Sequence, residues 1–175
     1  DPSSAGGHVI SRIAGIDPGT VRMGYGLVDD TGGEPSVVTF GVFTAKARQP
    51  LGERLYTLYQ EMLALLTRYS PSEVAVEEPF VGMNPRAALA VGQAQGVALM
   101  AAASLGVPVA RYAPAAVKQA VTGHGRASKD QVQQALAMLL KSDIASAPED
   151  ATDALAVALC HLQARRAAAL PVVKS

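Results

Sequence analysis

The sequence predicts an α/β fold, with a five-stranded mixed sheet covered by helices on both faces. Two observations lead there. Three strand-like runs, residues 13–17, 23–28 and 37–44, follow one another early in the chain and are separated by turn chemistry. After them, short apolar runs alternate with segments of helical period. A strand trio followed by alternating helices and strands gives the order β-β-β-α-β-α-β-α-α-α, a layered sheet with helices. Composition supports one such unit: 49% of the 175 residues are apolar and only 17% are charged, enough for a core and too few charges for disorder.

Each element has a local reason. The first strand ends in Asp17-Pro18-Gly19-Thr20, a turn sequence, and Asp29-Asp30-Thr31-Gly32-Gly33 closes a hairpin. Leu51, Leu55, Leu58, Met62, Leu65 and Leu66 share one face of a helix over 51–69. Val74-Ala75-Val76 is a short buried strand ending in Glu77-Glu78-Pro79. Asn84 caps a helix with Pro85 at its first position, and this helix reaches about residue 105. Residues 107–109 form the fifth strand, and Pro114 opens a short helix to about 121. Ser128 and Gln131 make a capping box for a helix to about 141, and a last helix runs from near 148 to about 166. Residues 1–8 read as an extension outside the fold, 9–168 as one domain and 169–175 as a tail. The sequence shows no internal repeat.

Lys and Arg total 15, as do Asp and Glu. This neutral balance argues against a uniformly basic nucleic-acid binder. The single Cys160 excludes a disulfide scaffold and a cysteine zinc site and fits a reducing cytosol. No apolar run is expected to reach the length of a membrane span, and no secretory signal is expected. Charge is nevertheless segregated. From 81 to 142 the cations are Arg86, Arg111, Lys118, Arg126, Lys129 and Lys141 against Asp130 alone; six minus one is plus five, so the remainder is minus five.

That remainder holds four carboxylates at element ends. Asp17 ends the first strand, Glu77 the fourth, and Asp150 and Asp153 lie three apart at the start of the last helix, on one face. Brought together, they would repel one another unless hard cations bound, and Mg²⁺ fits best. Taken singly, each has a structural reading: Asp17 as a turn former, Asp150 as a helix-dipole partner. Asp153, in an otherwise apolar stretch, is the hardest to explain that way. Strand alternation turns Glu78 away from Glu77. A basic half beside an acidic pocket suits an enzyme that grips phosphates, while the alternative is a basic solvated helical surface. Phe80, in the loop before Asn84, is either core or a base-stacking wedge. His124 lies between glycines in a basic loop with Arg126. Cys160 and His161 read as packing residues. Gly92 and Gly96, four apart, leave one helix face nearly bare, for packing on the sheet or for a close contact with a second subunit.

Gly15-Ile16-Asp17-Pro18-Gly19-Thr20, Val74-Ala75-Val76-Glu77-Glu78-Pro79-Phe80, Gly92-Gln93-Ala94-Gln95-Gly96, Val117-Lys118-Gln119-Ala120-Val121, Ser128-Lys129-Asp130-Gln131-Val132 and Asp150-Ala151-Thr152-Asp153-Ala154-Leu155-Ala156 occur in that order. Together they resemble the bacterial RuvC-type Holliday-junction resolvases, from about residue 12 to 161. The resemblance implies a ribonuclease H-like fold and a cytoplasmic homodimeric endonuclease that resolves four-way DNA junctions by symmetric nicking, leaving 5′-phosphate and 3′-hydroxyl ends. It implies two Mg²⁺ per subunit, replaceable by Mn²⁺, held by Asp17, Glu77, Asp150 and Asp153. It also implies catalytic and junction-binding roles for Lys118 and Lys129, base stacking by Phe80, and a dimer helix containing Gly92 and Gly96. Arg86, His124 and Arg126 join the expected DNA contacts on charge. Junction-clamping and branch-migration motor proteins are implied as partners. One departure stands out: Gln95 occupies a place where the family often has Arg, which removes a DNA-backbone contact from that helix. Rival readings are a ribonuclease H-like RNA-processing nuclease, half of an actin-like ATPase lacking its second lobe, and an inactive DNA-binding module.

Overall fold

The computed structural model describes residues 8–80 and 82–170. Most of the 1–8 extension, Val81 and the tail after 170 therefore lie outside the described residues. Five strands, β1 (Ser11–Asp17), β2 (Arg22–Asp30), β3 (Ser36–Thr44), β4 (Glu73–Glu77) and β5 (Val109–Tyr112), form one sheet in the order β3-β2-β1-β4-β5. The β1–β2 and β2–β3 pairs are antiparallel, and β1–β4 and β4–β5 are parallel. This is the mixed sheet that the element order predicts.

Strand alternation divides the core in two. Ala14, Ile16, Val74 and Val76 face α1 (Leu51–Tyr69) and α2 (Pro85–Ser104). Ile13, Ala75 and Val28 face α3 (Pro114–Thr122), α4 (Lys129–Leu140) and α5 (Glu149–Ala169). Leu58, Met62, Leu65 and Leu66, the face read from the sequence, are the buried residues of α1. Asn84 Oδ1 accepts from the Arg86 and Ala87 amides, and the Ser128–Gln131 capping box is closed at both ends.

Two expectations need correction. The fifth strand starts later than residue 107, because the Val107 amide closes the end of α2 on the Ala102 carbonyl. Pro108 has no amide to donate and only accepts from Val74, so pairing begins at Val109. The second concerns apolar length. With a mean hydropathy of 1.3, the 20-residue α2 is long and apolar enough to cross a membrane by those two criteria. Gln93, Gln95 and Ser104 interrupt the run without lowering its mean below that level. In the fold, one side of α2 packs on α1 and β4 while Leu89 and Met100 stay exposed.

Candidate active site

The strands deliver their ends to one edge of the sheet. β1 stops at Asp17 and β4 at Glu77, both on the face toward α5, since they share parity with Gly15 and Ala75. α5 starts at that same edge. Its approach depends on missing side chains. A Cβ at Gly15 would lie 2.0 Å from the Ala154 carbonyl oxygen, and one at Gly24 would lie 1.9 Å from that of Asp150. With both strands bare, the first turns of α5 lie against the sheet and carry Asp153 toward Asp17.

Asp17, Glu77 and Asp153 line one cavity of about 300 Å³ with Lys118, Lys129, Pro79 and Phe80. Burial, then Asp153, Glu77 and Asp150, push the Asp17 carboxyl up to about 8. Burial and Asp153 raise Glu77 to about 7. Burial raises Asp153 to about 6 against the pull of Lys129. Three carboxyls that resist ionisation in one cavity are a site short of positive charge. The donor set is all oxygen and fits hard divalent cations. Among the described residues, no three His, Cys, Asp or Glu side chains already stand in metal-holding geometry. Asp150 is drawn aside: it lies within electrostatic reach of Asp17 and Asp153, but its Oδ2 accepts from Arg22 Nε at 2.8 Å. Lys129 is likewise paired, with Glu149. Arg22 and Glu149 did not stand out in the sequence, and only the fold places them beside these acids and bases.

The remaining expected residues fall around this centre. Phe80 is 53% exposed, so the core alternative is removed. Lys118 is half-buried at the cavity wall, whereas Arg86, His124 and Arg126 are exposed. Glu78 pairs with Arg111 at 3.6 Å. Gly92 and Gly96 face open space: a Cβ added to either would meet nothing within 4 Å, so packing on the sheet does not require them. Gln95 points inward: it is 8% exposed, and its Nε2 lacks a hydrogen-bond partner. Cys160 is buried as expected, but His161 does more than pack. Its Nδ1 lies 2.6 Å from the Tyr112 hydroxyl, and its Nε2 meets Glu73, which also pairs with Arg165. The link ties β4, β5 and α5 together.

The family model for crossover junction endodeoxyribonuclease RuvC matches residues 13–161. The chain belongs to the RuvC family. RuvC of Syntrophomonas wolfei is 46% identical over 155 residues, covering 89% of this chain and 90% of the relative. RuvC of Chloroflexus aggregans is 49% identical over 150 residues, covering 86% and 92%. In structure, Thermus thermophilus RuvC in complex with a Holliday junction substrate superposes with a TM-score of 0.85 at 37% identity, covering 90% of this chain and 96% of that one. The yeast mitochondrial Holliday junction resolvase Ydc2 reaches a TM-score of 0.59 at 13% identity and shows the shared fold alone. The ribonuclease H-like fold and membership of a metal-dependent endonuclease family follow from these matches.

Proposed function

We propose that this RuvC-family chain is a cytoplasmic enzyme that resolves four-way DNA junctions as a homodimer, nicking two strands of like polarity. The observation that carries the reading is the convergence of Asp17, Glu77 and Asp153 on a cavity walled by Lys118 and Lys129, with Phe80 exposed at its rim. Asp17, Glu77, Asp150 and Asp153 would hold two Mg²⁺, or Mn²⁺ in their place. When bound, such ions supply the Lewis acidity for phosphodiester hydrolysis.

The side chains do the rest. Lys129, whose charge acts on both Asp17 and Asp153, sets positive charge beside the phosphate that reacts. Lys118, facing Glu77 across the cavity, holds the same strand. Phe80 stacks on a base at the crossover. Arg86, His124 and Arg126 grip flanking phosphates from exposed positions. Cleavage leaves a 5′-phosphate and a 3′-hydroxyl.

The homodimer reading rests on α2. Gly92 and Gly96 offer open space, and Gly96, Val97 and Met100 line an apolar groove of about 560 Å³ with Leu55, Tyr56 and Tyr59 of α1. A helix from a second copy can approach such a bare, apolar face closely, and twofold symmetry matches that of a junction.

The test is cleavage of an immobile synthetic four-way junction, with linear duplex and RNA controls, with and without Mg²⁺. Paired nicks in the junction only, and only with metal, are expected. Cleavage of RNA instead would favour the RNA-processing nuclease. Junction binding without cutting, even with Mn²⁺, would favour the inactive module. For the dimer, Gly96→Glu should shift the mass measured by light scattering from dimer to monomer.

A further inference from the structure

Summed along the chain, the β3–α1 connection belongs to the acidic remainder, yet the fold sets it at the acids' edge as a basic loop. The Ala45 amide donates to the Val21 carbonyl at 2.8 Å, and Thr44 pairs with Arg22. The loop after β3 therefore lies against the turn that follows Asp17. From 45 to 54 the charged residues are Lys46, Arg48 and Arg54 against Glu53; three minus one leaves plus two. Lys46 and Arg48 are exposed and have no ion-pair partner among the described residues. Arg54 Nη1 donates to Thr20 Oγ1 at 3.4 Å, and its buried Nε has no partner. Arg22, beside them, is the residue that holds Asp150.

These cations lie on the β2–β3 side of Asp17. Lys118 and Lys129 lie on the other side, on helices that pack against α5 beyond β4. The acids are thus flanked by basic residues on both sides. No aromatic residue stands between 45 and 54, so this loop offers no stacking platform for unpaired bases. What it offers is a row of positive charge, the chemistry that follows a nucleic-acid backbone without reading sequence.

We propose that Arg22, Lys46, Arg48 and Arg54 form a second phosphate-binding ledge, which takes the backbone of a duplex arm on the side of the acids opposite Lys118 and Lys129. The inference rests on the junction-nuclease reading and deepens it by giving a second arm its contact surface. Arg22, which donates to Asp150 at 2.8 Å, would reach phosphate by giving up that exposed pair.

The test is fluorescence anisotropy of a labelled four-way junction titrated with the full chain in EDTA, across a series of KCl concentrations. The double variant Lys46→Gln/Arg48→Gln is compared with the wild type and with Lys118→Gln. Both substitutions lie on exposed residues, and thermal melts check that the fold is kept. The salt slope of log K should fall by about 0.9 per lost phosphate contact, so by roughly two for the pair. The loss should vanish on a junction whose arms are cut back until the duplex no longer reaches the ledge. A slope unchanged in the double variant but lowered by Lys118→Gln would overturn the ledge and leave the junction reading standing. An equal loss on the shortened arms would overturn the assignment to a duplex arm. A wild-type chain that bound no junction at all would remove both readings.

Discussion

Replacing Asp17 by asparagine should stabilise the metal-free protein, and should do so only at high pH. The Asp17 carboxyl is held up to about 8 in the fold against an ordinary 3.8. The folded chain therefore keeps a proton that the unfolded chain has lost across that window. Stability contributed by the protonated group is present at low pH and falls as pH rises from about 4 to 8. At about 1.4 kcal/mol per pH unit, the ionised carboxylate weakens the fold by at most roughly 5 kcal/mol at pH 8. An amide in the same place removes that charge but still loses hydration, which gives back roughly 2–3 kcal/mol. The expected net gain is about 2 kcal/mol at pH 8, or roughly 4–8 °C in Tm for a domain of this size. At pH 5 the carboxyl is mostly protonated, and the two effects nearly cancel. The assay is a circular dichroism melt in EDTA at both values. Adding Mg²⁺ should raise the wild-type Tm and leave the variant where it was. A variant that melts no higher than wild type at pH 8, or gains equally at pH 5, would refute the electrostatic account of the site.

Other perturbations separate the remaining claims. Phe80→Ala, at a side chain 53% exposed, should change stability by no more than about 0.5 kcal/mol while reducing junction nicking; nicking at the wild-type rate would refute the stacking role. Gly24→Ala drives a Cβ to 1.9 Å from the Asp150 carbonyl oxygen, and chemical denaturation should register a loss of at least about 3 kcal/mol. Tyr112→Phe strips the hydroxyl from His161 Nδ1, which should cost about 1–2 kcal/mol in urea unfolding with or without metal; no loss would show that the His161 brace adds nothing to stability.

The element order was legible because each element announces itself locally. Leucines at helical spacing mark α1, and Asn84-Pro85 and Ser128 mark the starts of α2 and α4. β5 was displaced because its edge is decided by competition: Val107 serves the end of α2 before the sheet can use it. The carboxylates were legible as residues at element ends, but their depth was not. Three of them share a cavity only because Gly15 and Gly24 let α5 descend onto the sheet, and glycines within a strand give no sign of what will press on them. Polar contacts spanning long sequence separations leave no local trace. Arg22 and Asp150 are 128 residues apart, and His161 and Glu73 are 88 apart. The basic residues between 45 and 54 are hidden for a related reason: a sum along the chain places them with the acids, and only the fold sets them at the edge of the sheet.

The contact between α5 and the bare strands also sets how fast this site can rearrange. The Asp150 carbonyl and the Ala154 carbonyl rest directly on backbone, so neither turn of the helix can sink further. The main chain that carries Asp150 and Asp153 is a fixed wall, and what remains free is torsion about the side-chain bonds. Turning Asp150 from Arg22 toward Asp17 is therefore a rotamer change and the breaking of one exposed ion pair. Such motions run on the picosecond-to-nanosecond scale, far below the microseconds that hinges and lids require. Freeing Asp150 from Arg22 asks only for rotation of a side chain, without opening the fold.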